Sequence, residues 1–277
     1  MRKITILFLS ILLCLLTNAQ KKDISLEEIL IEYSLFPKGF SNLKSMNSGE
    51  HYSILKKVDD HQEIIKYNFK DGSAVRTIFN SSDFTIKRIS NYSFSDNEKL
   101  ILLATETESI YRYSKRAKYF VFNVNNNKIK EVHEEKIRYP KFSPDGTKIA
   151  YVLNNNLFIK NIKNGKTTQV SNDGKENHII NGASDWVYEE EFKLVRGFEW
   201  SSNGKSIAYY KFDESHVKEF SMDRFTNELY PQQQVFKYPK AGEKNSTVNI
   251  YLFDINKNKN TLIYTEKDYE YIPRIKW

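Results

Sequence analysis

Apolar and polar residues alternate along most of this chain with the period of two that marks a strand packed on one or both faces. The runs fall at 52–58, 63–69, 100–104, 119–124, 148–153, 157–162, 206–212, 248–255 and 261–265. They are rich in β-branched and aromatic residues, as strands are. Between them, Asp71-Gly72, Asp145-Gly146, Asn164-Gly165, Asp173-Gly174 and Asn203-Gly204 read as tight turns. Long amphipathic helical windows are lacking. A short helix is expected at 25–33, capped by Ser25 with Glu27 and Glu28 in its first turn.

One apolar run breaks this pattern. Residues 4–16 are almost wholly apolar, follow Arg2 and Lys3, and end at Thr17-Asn18-Ala19. That is the layout of a secretory signal peptide at 1–19, and it is shorter than the roughly 20 apolar residues of a membrane span. The mature chain is therefore expected to be exported, periplasmic or secreted, without a membrane span. Cleavage after Ala19 removes Cys14, the only cysteine, so disulfide and thiol chemistry are excluded. Removal of Arg2 and Lys3 also trims the net charge of +7. The remaining lysines are scattered between strands, which points to solubility and not to nucleic-acid binding.

The strands come in a repeating phrase. "YSFSDNEKLILLA" (92–104), "PKFSPDGTKIAYV" (140–152) and "FEWSSNGKSIAYY" (198–210) each run from an aromatic residue through a serine, a polar turn and a lysine into an apolar strand. Repeats of about 40–50 residues built from short strands are the mark of propeller blades. The expectation is an all-β fold, a β-propeller with about four blades in 20–277. The spacing lengthens along the chain, so the later blades carry insertions. "YIPRIKW" (271–277) looks like the opening of another blade, and the sequence is expected to be truncated there.

The insertion before the third phrase holds "DWVYEEEF" (185–192). Three adjacent glutamates are most often a solvated helix face. Here Asp185 can cap a short helix, with Trp186 and Tyr188 anchoring it and the glutamates near the N-terminal end, where the dipole favours negative charge. Successive helical residues point about 100° apart, so two of the carboxylates can flank one ammonium while the third turns away. Gathering like charges is costly unless a cation answers them. A peptide α-ammonium, with three donors, is such a cation.

"DWVYEEEF", "FSPDGTKIAYV", "IYRYS" (110–114) and "YPKAG" (238–242) occur together. In these phrases the chain resembles the dipeptidyl-peptidase IV family of serine peptidases, in the prolyl oligopeptidase clan, over essentially all of the mature sequence. The resemblance implies an eight-bladed propeller capping a C-terminal α/β-hydrolase domain. It implies release of N-terminal dipeptides, Xaa-Pro or Xaa-Ala, from peptides with a free N-terminus. It places the ammonium clamp on Glu190 and Glu191, leaves Glu189 outside the contact, and puts a substrate-carbonyl contact on Arg112. No cofactor or metal is implied, and a homodimer is a possible assembly. In one departure, Ser246 stands where the family usually shows proline, a change expected to loosen the start of a strand.

The family's nucleophile sits in a Gly-x-Ser-x-Gly elbow followed by Asp and His. No such elbow occurs in this chain, so the catalytic domain is absent from it and the chain alone is expected to be inactive. The five histidines lack metal-ligand spacing, and there is no glycine-rich phosphate loop. A different class of function remains open on the residues alone: a non-catalytic, TolB-like periplasmic propeller that binds peptides or protein partners. A carbohydrate-processing propeller fits less well, since adjacent glutamates do not face each other across a pocket.

Overall fold

The computed structural model describes residues 23–37, 43–263 and 270–277. The expected signal peptide lies outside the described residues, as do positions 264 and 265 of the last expected strand. The chain divides into two units, Met1–Phe40 and Ser41–Trp277. In the first, helix α1 (Leu26–Leu30) is closed by a capping box: Glu28 N donates to Ser25 Oγ at 3.1 Å, and Ser25 N to Glu28 Oε2 at 3.2 Å. It is shorter than the expected 25–33 and buries none of its residues.

Among the described residues the second unit is built from four antiparallel blade sheets and one two-stranded hairpin. Blade one is β1 (Lys44–Ser45), β2 (His51–Val58), β3 (His61–Asn68) and β4 (Ala74–Asn80). Blade two is β5 (Ile89–Phe94), β6 (Leu100–Ser109), β7 (Lys115–Asn123) and β8 (Lys128–Glu131), and blade three is β9 (Arg138–Phe142), β10 (Lys148–Leu153), β11 (Asn156–Asn161) and β12 (Thr167–Gln169). Each pairs its strands in simple chain order. Blade four contains β13 (Ile179–Asn181), β14 (Phe198–Trp200), β15 (Ser206–Asp213), β18 (Thr247–Asp254) and β19 (Lys259–Ile263). A separate hairpin, β16 (Glu219–Arg224) with β17 (Gln232–Lys237), is inserted between β15 and β18.

The repeated phrase is a repeated turn. Buried Ser95, Ser143 and Ser201 each accept an N–H from five residues on, at 3.1, 2.9 and 2.9 Å. Each hydroxyl donates to the side chain two positions later, Asn97, Asp145 or Asn203, at 2.8, 2.6 and 2.8 Å. Blade one makes the same backbone turn with Met46 where the others have serine: Met46 N donates to His51 O at 2.9 Å and Gly49 N to Met46 O at 3.0 Å. The backbone pairing is therefore enough to form the turn, and this copy lacks the side chains by which the phrase is recognised.

Alternation within the strands serves two interfaces at once. Ile101 and Leu103 of β6, with Phe122 of β7, face blade one and pack with its Ile64 and Phe79, while Leu102 joins Ile149 and Tyr151 of blade three. One strand on, Ala150 and Val152 of β10 turn to blade four and meet Trp200, Ile207 and Tyr209. Both faces of these middle strands are thus buried, as stacked blades require.

Two expectations are corrected. Asp173-Gly174, expected as a tight turn, forms none, and Gly174 lacks the positive φ of the other four turn glycines. Gly174 is needed because a Cβ there would sit 2.3 Å from Asn155 O. And 271–277 forms no strand. It lies across blade four, with Ile272 and Ile275 against its core and Trp277 Nε1 donating to Glu199 O at 3.2 Å.

The edge strand of blade four is split. β13 pairs with β15 at Lys211 to Asp213 and β14 pairs with the same strand at Tyr209 to Ile207. The chain between them leaves and returns through a neck, where Ala183 bridges Arg196 and Gly197 N donates to Gly182 O at 2.9 Å. A Cβ at Gly197 would lie 3.0 Å from the Ala183 backbone. The acidic motif is carried on this loop.

Replacing Gly174 with alanine should destabilise the protein by about 3 kcal/mol, because Asn155 is backbone and cannot step aside. Urea unfolding monitored by tryptophan fluorescence would register this as a fall in the midpoint with unchanged slope.

Candidate functional site

The loop folds into helix α2 (Trp186–Phe192). Asp185 is its N-cap, its Oδ1 accepting Tyr188 N at 2.9 Å, and Lys193 closes it in the left-handed region at φ 53°. The apolar anchors hold it down as expected. Tyr188 is 1 % exposed, stacks edge-on to Phe212 with centroids 4.8 Å apart, and accepts Ile272 N at 2.8 Å through its hydroxyl. Trp186 meets Tyr238 of the "YPKAG" segment at 4.4 Å.

The three glutamates part company. Glu189, 2 % exposed, lies in the first turn and accepts two backbone N–H groups of the "IYRYS" loop, Tyr113 at 2.6 Å and Ser114 at 2.9 Å. That loop, between β6 and β7, is itself closed by Ile110 N to Ser114 O at 2.9 Å and by Tyr111 N to Ser114 Oγ at 3.1 Å. Its tip carries Arg112, whose Nε lies 3.2 Å from Glu190 Oε2. The carboxylate is 18 % exposed and the arginine 68 %, so the pair stands at the edge of solvent. Glu191 is exposed and lines a cavity of about 480 Å³ with Trp186, Phe192, Tyr238, Lys240 and Tyr271.

The helix-dipole expectation is corrected here. Only Glu189 sits in the first turn, while Glu190 and Glu191 lie in the second, where the N-terminal dipole has fallen off. They are held there by geometry, without help from the dipole. Three of the four recognition phrases thus meet at α2, and all three predicted site residues, Arg112, Glu190 and Glu191, lie on or against it.

Sequence reasoning missed three residues. Glu189 is the tie between helix and arginine loop. Ser246, far from loosening β18, donates from its hydroxyl to Asp185 Oδ2 at 2.7 Å. Glu214, 6 % exposed, lines a second cavity of about 640 Å³ with Tyr111, Arg138, Asp185, Trp186 and Arg224. Burial, and then the Asp185 charge, raise its carboxyl to about 7 against the opposing pull of Lys237 and Arg138. Asp185 is likewise raised by burial, opposed by its bonds from Ser246 and Tyr188. Among the described residues no group of three or more His, Cys, Asp or Glu is placed to hold a metal ion, and no helix is long and apolar enough to cross a membrane.

Residues 95–277 match the family model for the dipeptidyl peptidase IV N-terminal region. The chain belongs to the dipeptidyl peptidase IV family. It is similar to human prolyl endopeptidase FAP (33 % identity over 210 residues, 75 % of this chain and 27 % of the relative) and to cat dipeptidyl peptidase 4 (33 % over 235 residues, 79 % and 30 %). Mouse inactive dipeptidyl peptidase 10 matches at 28 % over 95 % of this chain and 33 % of its own length. Among solved structures, Porphyromonas gingivalis dipeptidyl peptidase 4 superposes with a TM-score of 0.82 at 38 % identity, covering 91 % of this chain and 37 % of that one. The chain thus spans about a third of the length of the family members it matches. The all-β propeller reading agrees with this family's N-terminal region.

Glu189→Ala would strand two N–H donors and is expected to cost about 2–3 kcal/mol. Amide exchange at Tyr113 and Ser114 should quicken more than in the blade strands. For Glu214, a folded value near 7 against an ordinary 4.5 means the native state holds the proton longer than the unfolded chain. Its contribution is undiminished at low pH and is lost as pH rises from about 4.5 to about 7. Glu214→Gln should therefore gain stability relative to the parent across that window, read from denaturation midpoints at a series of pH values.

Proposed function

We propose that this chain is the substrate-recognition propeller of an exported serine-type dipeptidyl peptidase, which releases N-terminal dipeptides, Xaa-Pro or Xaa-Ala, from peptides. The observation that carries this reading is the meeting of Arg112 with Glu190 at 3.2 Å, beside the next carboxylate on the same helix. Family membership alone would not suffice, since one relative is by its name an inactive dipeptidyl peptidase.

In this reading Glu190 and Glu191 accept the N–H donors of the peptide's free α-ammonium. Arg112, anchored to Glu190 by one nitrogen, turns its outer guanidinium nitrogens to the first substrate carbonyl. Two fixed points then set how far the chain reaches beyond the clamp, so cleavage falls after the second residue. Binding energy at the N-terminus is spent on orientation at the scissile bond. The Ser-Asp-His machinery belongs to a C-terminal α/β-hydrolase domain of the whole protein. An acylated N-terminus offers no charge to the pair and leaves its carboxylates unanswered. Two copies pairing is part of the same reading: the β16–β17 hairpin presents Phe225, Leu229 and Tyr230, each more than three-quarters exposed.

In the whole protein, Glu190→Ala/Glu191→Ala is expected to lower kcat/KM for a Gly-Pro chromogenic amide by at least about 100-fold, because it removes both charged acceptors of the substrate ammonium. Normal turnover by that variant would remove the clamp assignment. The 277-residue chain by itself should release no chromophore, and hydrolysis by it would overturn the division of labour proposed here.

A further inference from the structure

The start of α2 is held from a distant part of the chain. Asp185 and Ser246 are 4 % and 8 % exposed and joined at 2.7 Å across a sequence separation of 61 residues. Ser246 immediately precedes β18, which is paired with β15 without a break from Ser206↔Asp254 to Asp213↔Thr247. The hydroxyl is therefore carried at the entry of a strand paired along its whole length with β15. A seven-residue helix has little stability of its own, so its cap and its packing decide its direction.

We propose that Ser246 is a positioning residue for the ammonium clamp. Its hydroxyl holds Asp185, Asp185 holds the first turn of α2, and the first turn sets where Glu190 and Glu191 point. This rests on the clamp reading given above.

The surroundings of Asp185 make the hydroxyl necessary. No cation pairs with its carboxylate among the described residues, and it is hydrogen-bonded by Ser246 Oγ, Tyr188 N and its own backbone N–H. The charged groups acting on the neighbouring Glu214 are Lys237 of β17, Arg138 of β9, Asp213 of β15 and Asp185 itself, and Tyr111 of the arginine loop also feels Glu214. Burial already disfavours the Asp185 charge. Without the serine donor the carboxylate takes up its proton at higher pH, and a protonated Asp185 is a poorer acceptor for Tyr188 N–H. The cap would then fail at a pH where the parent still holds it.

The test compares Ser246→Ala, and the near-isosteric pair Ser246→Thr and Ser246→Val, in the whole protein with a Gly-Pro chromogenic amide. Alanine and valine are expected to raise KM about tenfold, the size of one missing buried hydrogen bond, with kcat within about twofold. Threonine should restore KM to near the parent value. The acid limb of kcat/KM should move to higher pH in alanine and valine only, and amides of Tyr188 and Glu189 should exchange faster in both. Should alanine not fold, the threonine–valine comparison carries the same contrast. Unchanged KM and acid limb in valine would overturn the proposal, and so would faster exchange in α2 with KM unmoved. The Glu190→Ala/Glu191→Ala variant judges the clamp separately: loss of activity there with a silent Ser246→Val leaves the clamp standing and removes only the role of the serine.

Discussion

A buried carboxylate held by backbone N–H groups governs the geometry of this site. Among the described residues Glu189 is answered by the backbone N–H groups of Tyr113 and Ser114 and by no cation. Taking a carboxylate out of water is costly unless hydrogen-bond donors replace the water. Here the donors come from a loop of blade two, and the acceptor from an insertion in blade four. The hydrogen bonds therefore fix two elements that share no strand pairing. Arg112 meets Glu190 because Glu189, one residue earlier, has already docked the loop. The exposed Arg112–Glu190 pair contributes little to stability by itself; its position follows from the buried contact beneath it.

The legible part of the fold was the part written in periodicity. The runs at 148–153 and 206–212 became β10 and β15 almost residue for residue, because both faces of those strands are buried and every apolar position is needed. Strands such as β8 and β12, short and largely exposed, carry no such signal. The first blade turn was illegible for another reason. Met46 replaces the serine while the backbone bonds persist, so the geometry repeats where the sequence does not.

At the site, the residues named from the family resemblance lie on or against α2, while the residues that support them there were not legible. Asp185, Glu190, Glu191 and Arg112 stand in recognisable phrases. Glu189 could be seen to turn away from its neighbours, but not towards which partner, since Tyr113 and Ser114 contribute only backbone. Ser246 read as a missing proline because its worth lies in one hydroxyl bond made 61 residues away. Glu214 stands outside every motif, and its raised carboxyl follows from burial and a neighbouring charge that sequence spacing does not reveal.

The split edge strand of blade four separates two kinds of selection. β13 and β14 are both fastened to β15, and the chain between them pinches shut at Ala183 and Arg196. What is looped out beyond that pinch adds no residue to the ladder, so β13 and β14 keep their register on β15. Within the loop, exposed Glu191 can change without cost to the blade, whereas Tyr188, buried in the core of blade four against Phe212, cannot.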